Sequence, residues 1–231
     1  MKHRILRFIN KLLHPIKVIA KKYNRYRILR NEANYYHVWA NEHEGMCFVE
    51  DDYEAIKISV LVPAFNTNSE HLSKMVNSVL NQHFQNWELV IVNASTNKES
   101  RSEIDKLTQK DTRIKIVNTK ENIGISGNTN KGLKVTSGKY IAFLDHDDVL
   151  HPCALHCIAD SIRNTNADII YTDEDKITDD GNTYFNPFLK PDWSKYLFEN
   201  VNYINHLSVI KSELISKAGG LRPEFDGAQD Y

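Results

Sequence analysis

Short hydrophobic runs alternate with amphipathic stretches along the chain from residue 57 onwards. The β-branched run Lys57–Pro63 predicts a buried first strand that stops at a proline. Residues 69–81 then carry apolar side chains three and four positions apart, which predicts a helix. The same two patterns recur and predict strands at 87–92, 114–117, 140–144, 168–172 and near 204–210, and helices at 98–109, 127–136, 152–164, 194–199 and 211–218.

This alternation predicts the α/β fold class, with a Rossmann-like, mostly parallel sheet and helices on both faces. Parallel strands end at one edge of their sheet, where ligands bind. Loops with polar residues are therefore expected to open together at this edge, and they carry Asn66, Asn93, Gly124 and Asp145. Further along the chain, Asp180-Gly181 predicts a hairpin turn, and Phe185–Trp193, with two prolines, predicts an irregular loop.

Three carboxylates follow the predicted strand at 140–144 within four residues: Asp145, Asp147 and Asp148. Unpaired carboxylates are costly away from water, so they are expected at the end of the strand, in a crevice. Two aspartates separated by a single residue, such as Asp145 and Asp147, can hold a hard divalent cation there. The alternative is a polar turn that caps the next helix, since aspartate is common in turns and at helix N-termini.

The composition is that of a globular protein, with 231 residues, 41% hydrophobic and 26% charged. The net charge is −1, but the charges are unevenly distributed along the chain, because residues 1–30 contain ten Lys and Arg and no Asp or Glu. Apolar residues at helical spacing within this basic stretch fit a helix on an anionic membrane surface, or a solvated helix. No nucleic-acid-binding motif accompanies it. No apolar run is long enough to span a membrane, and residues 1–30 lack the pattern of a signal peptide.

The three cysteines give no even disulfide framework, which favours a reducing compartment. A group of metal-ligating residues around the helix at 152–164 offers a zinc alternative: His146, His151, Cys153, His156 and Cys157. The usual spacing of paired zinc ligands is absent, and the helix pattern is complete without a metal.

Five motifs in a fixed order resemble the family 2 glycosyltransferases, in particular the bacterial branch that builds surface polysaccharides. They are Val-Pro-Ala-Phe-Asn at 62–66, Ala-Ser-Thr at 94–96, Glu-Asn-Ile-Gly at 121–124 with Asn-Lys-Gly at 130–132, Gly138–Asp148, and Tyr171–Asp175 with Phe188–Trp193. The resemblance covers residues 57–231. It implies a GT-A fold and inverting transfer of a sugar from a nucleoside diphosphate.

The resemblance also implies roles for individual residues. Those expected to bind the nucleotide-sugar are Pro63, Ala64, Asn66, Asn93, Asn122, Gly124, Asn130, Asp145 and His146. Asp147 and Asp145 are expected to hold Mg²⁺ or Mn²⁺, Asp230 to be the catalytic base, and Trp193 and Asp175 to contact the acceptor. The family usually has Asp where Asn93 stands, so the resemblance does not identify the base of the nucleotide.

The expected organisation is a basic helical extension and acidic linker at 1–54, followed by a GT-A domain at 55–231. Because the family continues beyond the motif that holds the base, the C-terminal part of this domain is expected to be missing. The donor is expected to be a UDP- or dTDP-sugar, and the acceptor a hydroxyl of a glycan or lipid-linked glycan. The expected location is cytoplasmic, on the inner face of the bacterial cell membrane.

Two alternatives to the active transferase follow from the same motifs. A catalytically incomplete module could bind nucleotide-sugars or a partner without turnover. A nucleotidyltransferase also joins a parallel sheet to metal-holding aspartates, but it would show a glycine-rich basic loop after the first strand, where this chain has Val62–Asn66.

Overall fold

The computed structural model describes residues 34–42 and 56–227. The basic stretch 1–30 and the expected base Asp230 lie outside these residues. The chain divides into two compact units, one formed by Met1–Glu44 with Asp175–Phe188 and the other by Gly45–Glu174 with Leu189–Tyr231. Within the described residues, no helix has both the length and the apolar character needed to cross a bilayer.

The larger unit contains one six-stranded sheet and the helices that flank it. Its strands are β1 Ile58–Ala64, β2 Trp87–Asn93, β3 Ile114–Asn118, β4 Tyr140–Phe143, β5 Ile169–Tyr171 and β8 Ser208–Lys211. Its helices are α2 Ser69–Leu80, α3 Lys98–Lys106, α4 Gly124–Leu133, α5 Ala154–Thr165, α6 Lys195–Phe198 and α7 Ser212–Ala218. Two short 3-10 turns complete it, at Leu107–Gln109 and Pro223–Phe225.

The strands are arranged in the order β3-β2-β1-β4-β8-β5. The first four strands of the chain are parallel to one another, whereas β8 runs antiparallel to both β4 and β5. The carboxyl ends of β1 to β4 therefore open on a single edge. This confirms the predicted α/β class and its mostly parallel sheet.

Alternate residues of each central strand point to opposite faces of the sheet. On one face, Val60 and its neighbours pack with buried residues of α2, α3 and α5, such as Met75 and Ile158. On the other face, Leu61 and Ile141 pack with Ile215 of α7, and Leu133 of α4 lies against the same cluster. Each such burial stabilises the fold by about 1.5–3 kcal/mol. The prediction of helices on both faces is confirmed.

The smaller unit joins the helical residues 34–42, named α1, to a hairpin of β6 (Glu174–Ile177) and β7 (Tyr184–Phe188), except that the first residue of β6, Glu174, belongs to the larger unit. The Tyr36 hydroxyl donates a hydrogen bond to Asp175 Oδ2 at 2.6 Å. The predicted turn at Asp180 and Gly181 is present, with the Asp180 carboxylate accepting from Asn182 N–H at 3.0 Å.

The structure corrects three of the predicted boundaries. The predicted loop Phe185–Trp193 begins as part of β7, where a two-stranded ribbon tolerates Pro187 because each strand has a free edge. Helix α4 starts three residues before the predicted 127, at Gly124, whose N–H donates to Asn122 Oδ1. The last strand begins only at Ser208.

Candidate active site

Strand β4 carries its aspartates out of the core and into a turn. Tyr140, Ile141 and Ala142 are fully buried, and the turn that follows is closed by a hydrogen bond from Asp148 N–H to the Asp145 carbonyl at 3.3 Å. Helix α5 begins later, with Cys153 as its N-cap and no side-chain cap. The aspartates therefore do not cap the next helix, which removes the physical basis of that alternative.

A histidine from a distant part of the chain joins this turn. Because β8 runs antiparallel to β4, with Phe143 opposite Ser208, the residues before β8 lie beside the residues that follow β4. His206 is thereby placed with its Nε2 atom 3.8 Å from Asp145 Oδ2. No sequence motif indicates this residue, because its place depends on a pairing between strands far apart in the chain.

Ligand atoms of Asp145, Asp148 and His206 lie within 4.8 Å of one another, and this is the one such group of His, Cys, Asp or Glu within residues 34–42 and 56–227. The zinc alternative around α5 forms no group of this kind there. Asp147, the other predicted metal ligand, lies in the same turn with its side chain 56% exposed, and its Oδ1 atom is 3.8 Å from His146 Nδ1.

The site has an excess of negative charge. Burial raises the pKa of Asp148, and the carboxylates of Asp145, Asp147 and Glu174 raise it further, while His206 opposes them. A bound cation would offset this repulsion between carboxylates. Two carboxylates and an imidazole form a ligand set that a divalent ion accepts.

The loops after β1 and β2 are tied together by the side chain of Asn66. Its Oδ1 atom accepts from the N–H of Thr96 at 2.9 Å, and its Nδ2 donates to Thr96 Oγ1 at 3.0 Å. Asn93 is completely buried, and its Oδ1 accepts from Ser95 N–H at 3.2 Å. Both asparagines therefore hold the loops through protein contacts, while Pro63 and Ala64 form the end of β1 beside them.

The next predicted residues, Asn122, Gly124 and Asn130, lie just before α4 and within it. Asn122 Oδ1 accepts from Gly124 N–H at 3.1 Å and from Asn128 Nδ2 at 2.7 Å. Asn130, two residues after Asn128 on α4, makes two hydrogen bonds with the backbone of Leu221: its Nδ2 donates to the Leu221 carbonyl at 2.7 Å, and its Oδ1 accepts from the Leu221 N–H at 2.9 Å. Asn130 thus anchors the segment after α7.

Trp193 is the exposed member of an aromatic cluster whose other members, Phe198 and Tyr203, are partly and fully buried. Its side chain is 59% exposed, and its ring centroid lies 5.1 Å from that of Phe198 and 6.4 Å from that of Tyr203. Tyr171 lies edge-on to Tyr203, with ring centroids 5.7 Å apart, and burial together with Tyr203 raises the pKa of Tyr171 to about 12. The predicted acceptor residue Asp175 lies in the smaller unit, bound to Tyr36.

Sequence comparison places this site in a known context. The family described as "Glycosyl transferase family 2" matches residues 59–217. The protein y4gI of Sinorhizobium fredii is 40% identical over 176 residues, which is 75% of this chain and 19% of that protein. The O-antigen biosynthesis protein RfbC of Myxococcus xanthus is 31% identical over 176 residues, 75% of this chain and 14% of its own. The chain thus spans less than a fifth of either relative.

Solved structures share the fold. TarS of S. aureus in complex with UDP matches with a TM-score of 0.57 and 21% identity, covering 76% of this chain and 53% of TarS. The mannosyltransferase PcManGT of Pyrobaculum calidifontis, in complex with GDP-Man and Mn²⁺, matches with a TM-score of 0.59 and 16% identity, covering 88% of this chain and 58% of its own. The fold is the GT-A fold.

Proposed function

Because this chain belongs to glycosyl transferase family 2, we propose that it transfers a sugar, with inversion, from a nucleoside-diphosphate sugar to a hydroxyl group. The observation that carries the proposal is the gathering of Asp145, Asp148 and His206 at the carboxyl end of β4. The acceptor is a glycan or a lipid-linked glycan in the synthesis of a surface polysaccharide. The similarity to the O-antigen biosynthesis protein RfbC supports that choice.

The proposal includes a divalent ion, Mg²⁺ or Mn²⁺. Asp145 and His206 would hold it, and the neighbouring carboxylates of Asp147 and Asp148 would complete the site. When bound, such an ion supplies Lewis-acid stabilisation to the leaving diphosphate. The imidazole favours Mn²⁺ over Mg²⁺, because nitrogen ligands suit transition metals better.

The donor is a UDP- or dTDP-sugar that binds along the loops after β1, β2 and β3. Pro63, Ala64, Asn122, Gly124 and His146 are the proposed contacts. Asn66 and Asn93 support these loops and Asn130 anchors the segment after α7, which is consistent with their hydrogen bonds to protein atoms. The UDP complex of TarS supports a uridine nucleotide.

Two further parts complete the proposed reaction. Asp230 takes the proton of the acceptor hydroxyl as the general base. Trp193 stacks on a sugar ring of the acceptor, since an exposed indole offers a flat apolar face beside polar groups, and Asp175 borders the same acceptor. The protein works in the cytoplasm, with the basic residues 1–30 on the anionic inner face of the cell membrane.

Calorimetric titration with UDP and with dTDP, each with and without Mn²⁺, tests the donor site. We expect binding that depends on the metal in the wild type. His206→Ala should remove this dependence, and comparison of Asp147→Ala with Asp148→Ala identifies the carboxylate that completes the site. Asp160→Ala, an exposed aspartate on α5, is the matched control. Absence of nucleotide binding in folded wild-type protein would overturn the proposal.

The transfer step needs its own measurement. If the wild-type protein binds the donor, the Asp230→Asn variant should bind the nucleotide equally well. Its release of the nucleoside diphosphate in the presence of acceptor should fall by at least 100-fold, roughly the contribution of a general base. Unchanged turnover in this variant would mean that another group takes the proton.

A further inference from the structure

Lys190 is a lysine whose side chain is withdrawn from solvent. Only 1% of it is exposed, although it lies in the segment between β7 and α6. Burial lowers the pKa of Lys190, and the nearby carboxylate of Glu174 opposes this effect. A buried lysine is costly unless it is paired and hydrogen-bonded, so its partners indicate why it is there.

Two partners of Lys190 within the described residues meet at the backbone of His206. The Nζ atom donates to the His206 carbonyl at 2.9 Å and lies 3.4 Å from Glu174 Oε2. The same carboxylate oxygen of Glu174 accepts a hydrogen bond from the His206 N–H. Both polar backbone groups of His206 are therefore held by one ion pair.

His206 lies outside the paired residues of β8 and β4. The pairing of β8 with β4 begins at Ser208, two residues later. The adjacent Leu207 exchanges hydrogen bonds with Thr172, from its N–H to Thr172 Oγ1 at 3.1 Å and from the Thr172 N–H to its carbonyl at 3.2 Å. The backbone of His206 is thus held by side chains from the segment after β5 and by Lys190.

We propose that Lys190 and Glu174 are positioning residues for the metal site, and that their ion pair fixes the imidazole of His206 toward Asp145 and Asp148. The inference rests on the proposed function, since it concerns the divalent ion proposed to bind at Asp145 and His206. Groups behind the ligands of a metal set ligand orientation, and their loss typically costs 10–100-fold in metal affinity.

The pair also controls the charge of the site. Glu174 is one of the carboxylates that act on Asp148. Lys190 neutralises Glu174 from the buried side, so Glu174 can orient His206 without becoming a competing ligand. A purely structural ion pair would change the stability of the fold when it is broken but leave the metal affinity of the folded protein unchanged.

The test measures Mn²⁺ affinity in the presence of UDP by calorimetry, together with the melting temperature of each variant. Lys190→Met removes the charge and keeps most of the side-chain volume, and we expect it to weaken Mn²⁺ binding about tenfold or more. The matched control is Lys211→Met, which breaks the exposed pair between Lys211 Nζ and Asp168 Oδ1 at 3.1 Å and should leave the affinity unchanged.

If Lys190→Met does not fold, Glu174→Leu gives the answer, because it breaks the same ion pair at a side chain that is 34% exposed. We then expect Mn²⁺ binding by the folded protein to weaken about tenfold or more. Wild-type affinity in the folded Lys190→Met variant, or in Glu174→Leu where the former is unfolded, would overturn the inference alone. A wild-type protein that binds no Mn²⁺ would instead overturn the proposed metal site.

Discussion

The carboxylate of Asp226 lies at the N-terminus of α4, where its Oδ1 atom accepts a hydrogen bond from the backbone N–H of Ser126 at 3.0 Å. A negative charge at this end of a helix is favourable, because free N–H groups point outward there. The contact joins the first turn of α4 to the segment after α7.

The same carboxylate limits which residue can occupy position 124. Gly124 has a φ of +84°, and a side chain with a Cβ atom at this position would collide with the Asp226 carboxylate. Gly124→Ala should lower the free energy of unfolding by roughly 1–2 kcal/mol from the backbone conformation alone, and further from the collision. Urea denaturation measures this change. In an Asp226→Ala background the same substitution should cost less, and equal costs in both backgrounds would contradict the collision.

Asn130 should contribute to stability through its two hydrogen bonds with Leu221. We expect Asn130→Ala to lower the free energy of unfolding by about 1–3 kcal/mol, at about 0.5–1.5 kcal/mol for each bond. Asn118→Ala is the control, since Asn118 is exposed and its amide reaches only Asp105 among the described contacts. An equal loss in both variants would argue against the anchoring role of Asn130.

The buried carboxylate of Glu88 should make stability depend on pH. Burial alone would raise its pKa, but hydrogen bonds from Lys115, Ser59 and Ser137 lower it to about 2. Because the pKa in the folded state lies below the unfolded value of 4.5, its stabilisation is complete above that value. It is lost as the pH falls from 4.5 toward 2, by an amount on the order of 3 kcal/mol.

Chemical denaturation at pH 7, 4 and 3 tests this dependence. Glu88→Gln should be less stable than the wild type at pH 7 and should approach it at pH 3. Glu213→Gln, which alters an exposed pair with Lys217, should follow the wild type at every pH. Parallel curves for the wild type and Glu88→Gln would show that Glu88 does not cause the acid sensitivity.

Trp193 should act on the acceptor and not on the donor. We expect Trp193→Ala to raise the KM for a glycan acceptor about tenfold, which corresponds to the roughly 1.4 kcal/mol of one stacking contact. The affinity for UDP should stay unchanged in calorimetry. Trp193→Phe retains an aromatic face and should lose less. A loss of UDP affinity would place Trp193 in the donor site instead.

The sequence by itself determined the order of the strands and helices in the larger unit and the faces that they bury. Periodicity is a local property, so runs such as Ile58–Ala64 and the spaced apolar residues of α2 reveal their structure without knowledge of their neighbours. The place of Asp145 at the end of β4 was predictable for a similar reason, because the cost of burying carboxylates excludes them from the strand.

Only the tertiary structure decided which distant residues meet these aspartates. His206 reaches Asp145 through the antiparallel pairing of β8 with β4, and the sequence of β8 carries no sign of its partner. The burial of Lys190 was equally invisible, since lysine is ordinarily exposed and its partners come from separate segments of the chain. Contacts between residues far apart in sequence are set by the packing of whole elements, and local patterns do not encode them.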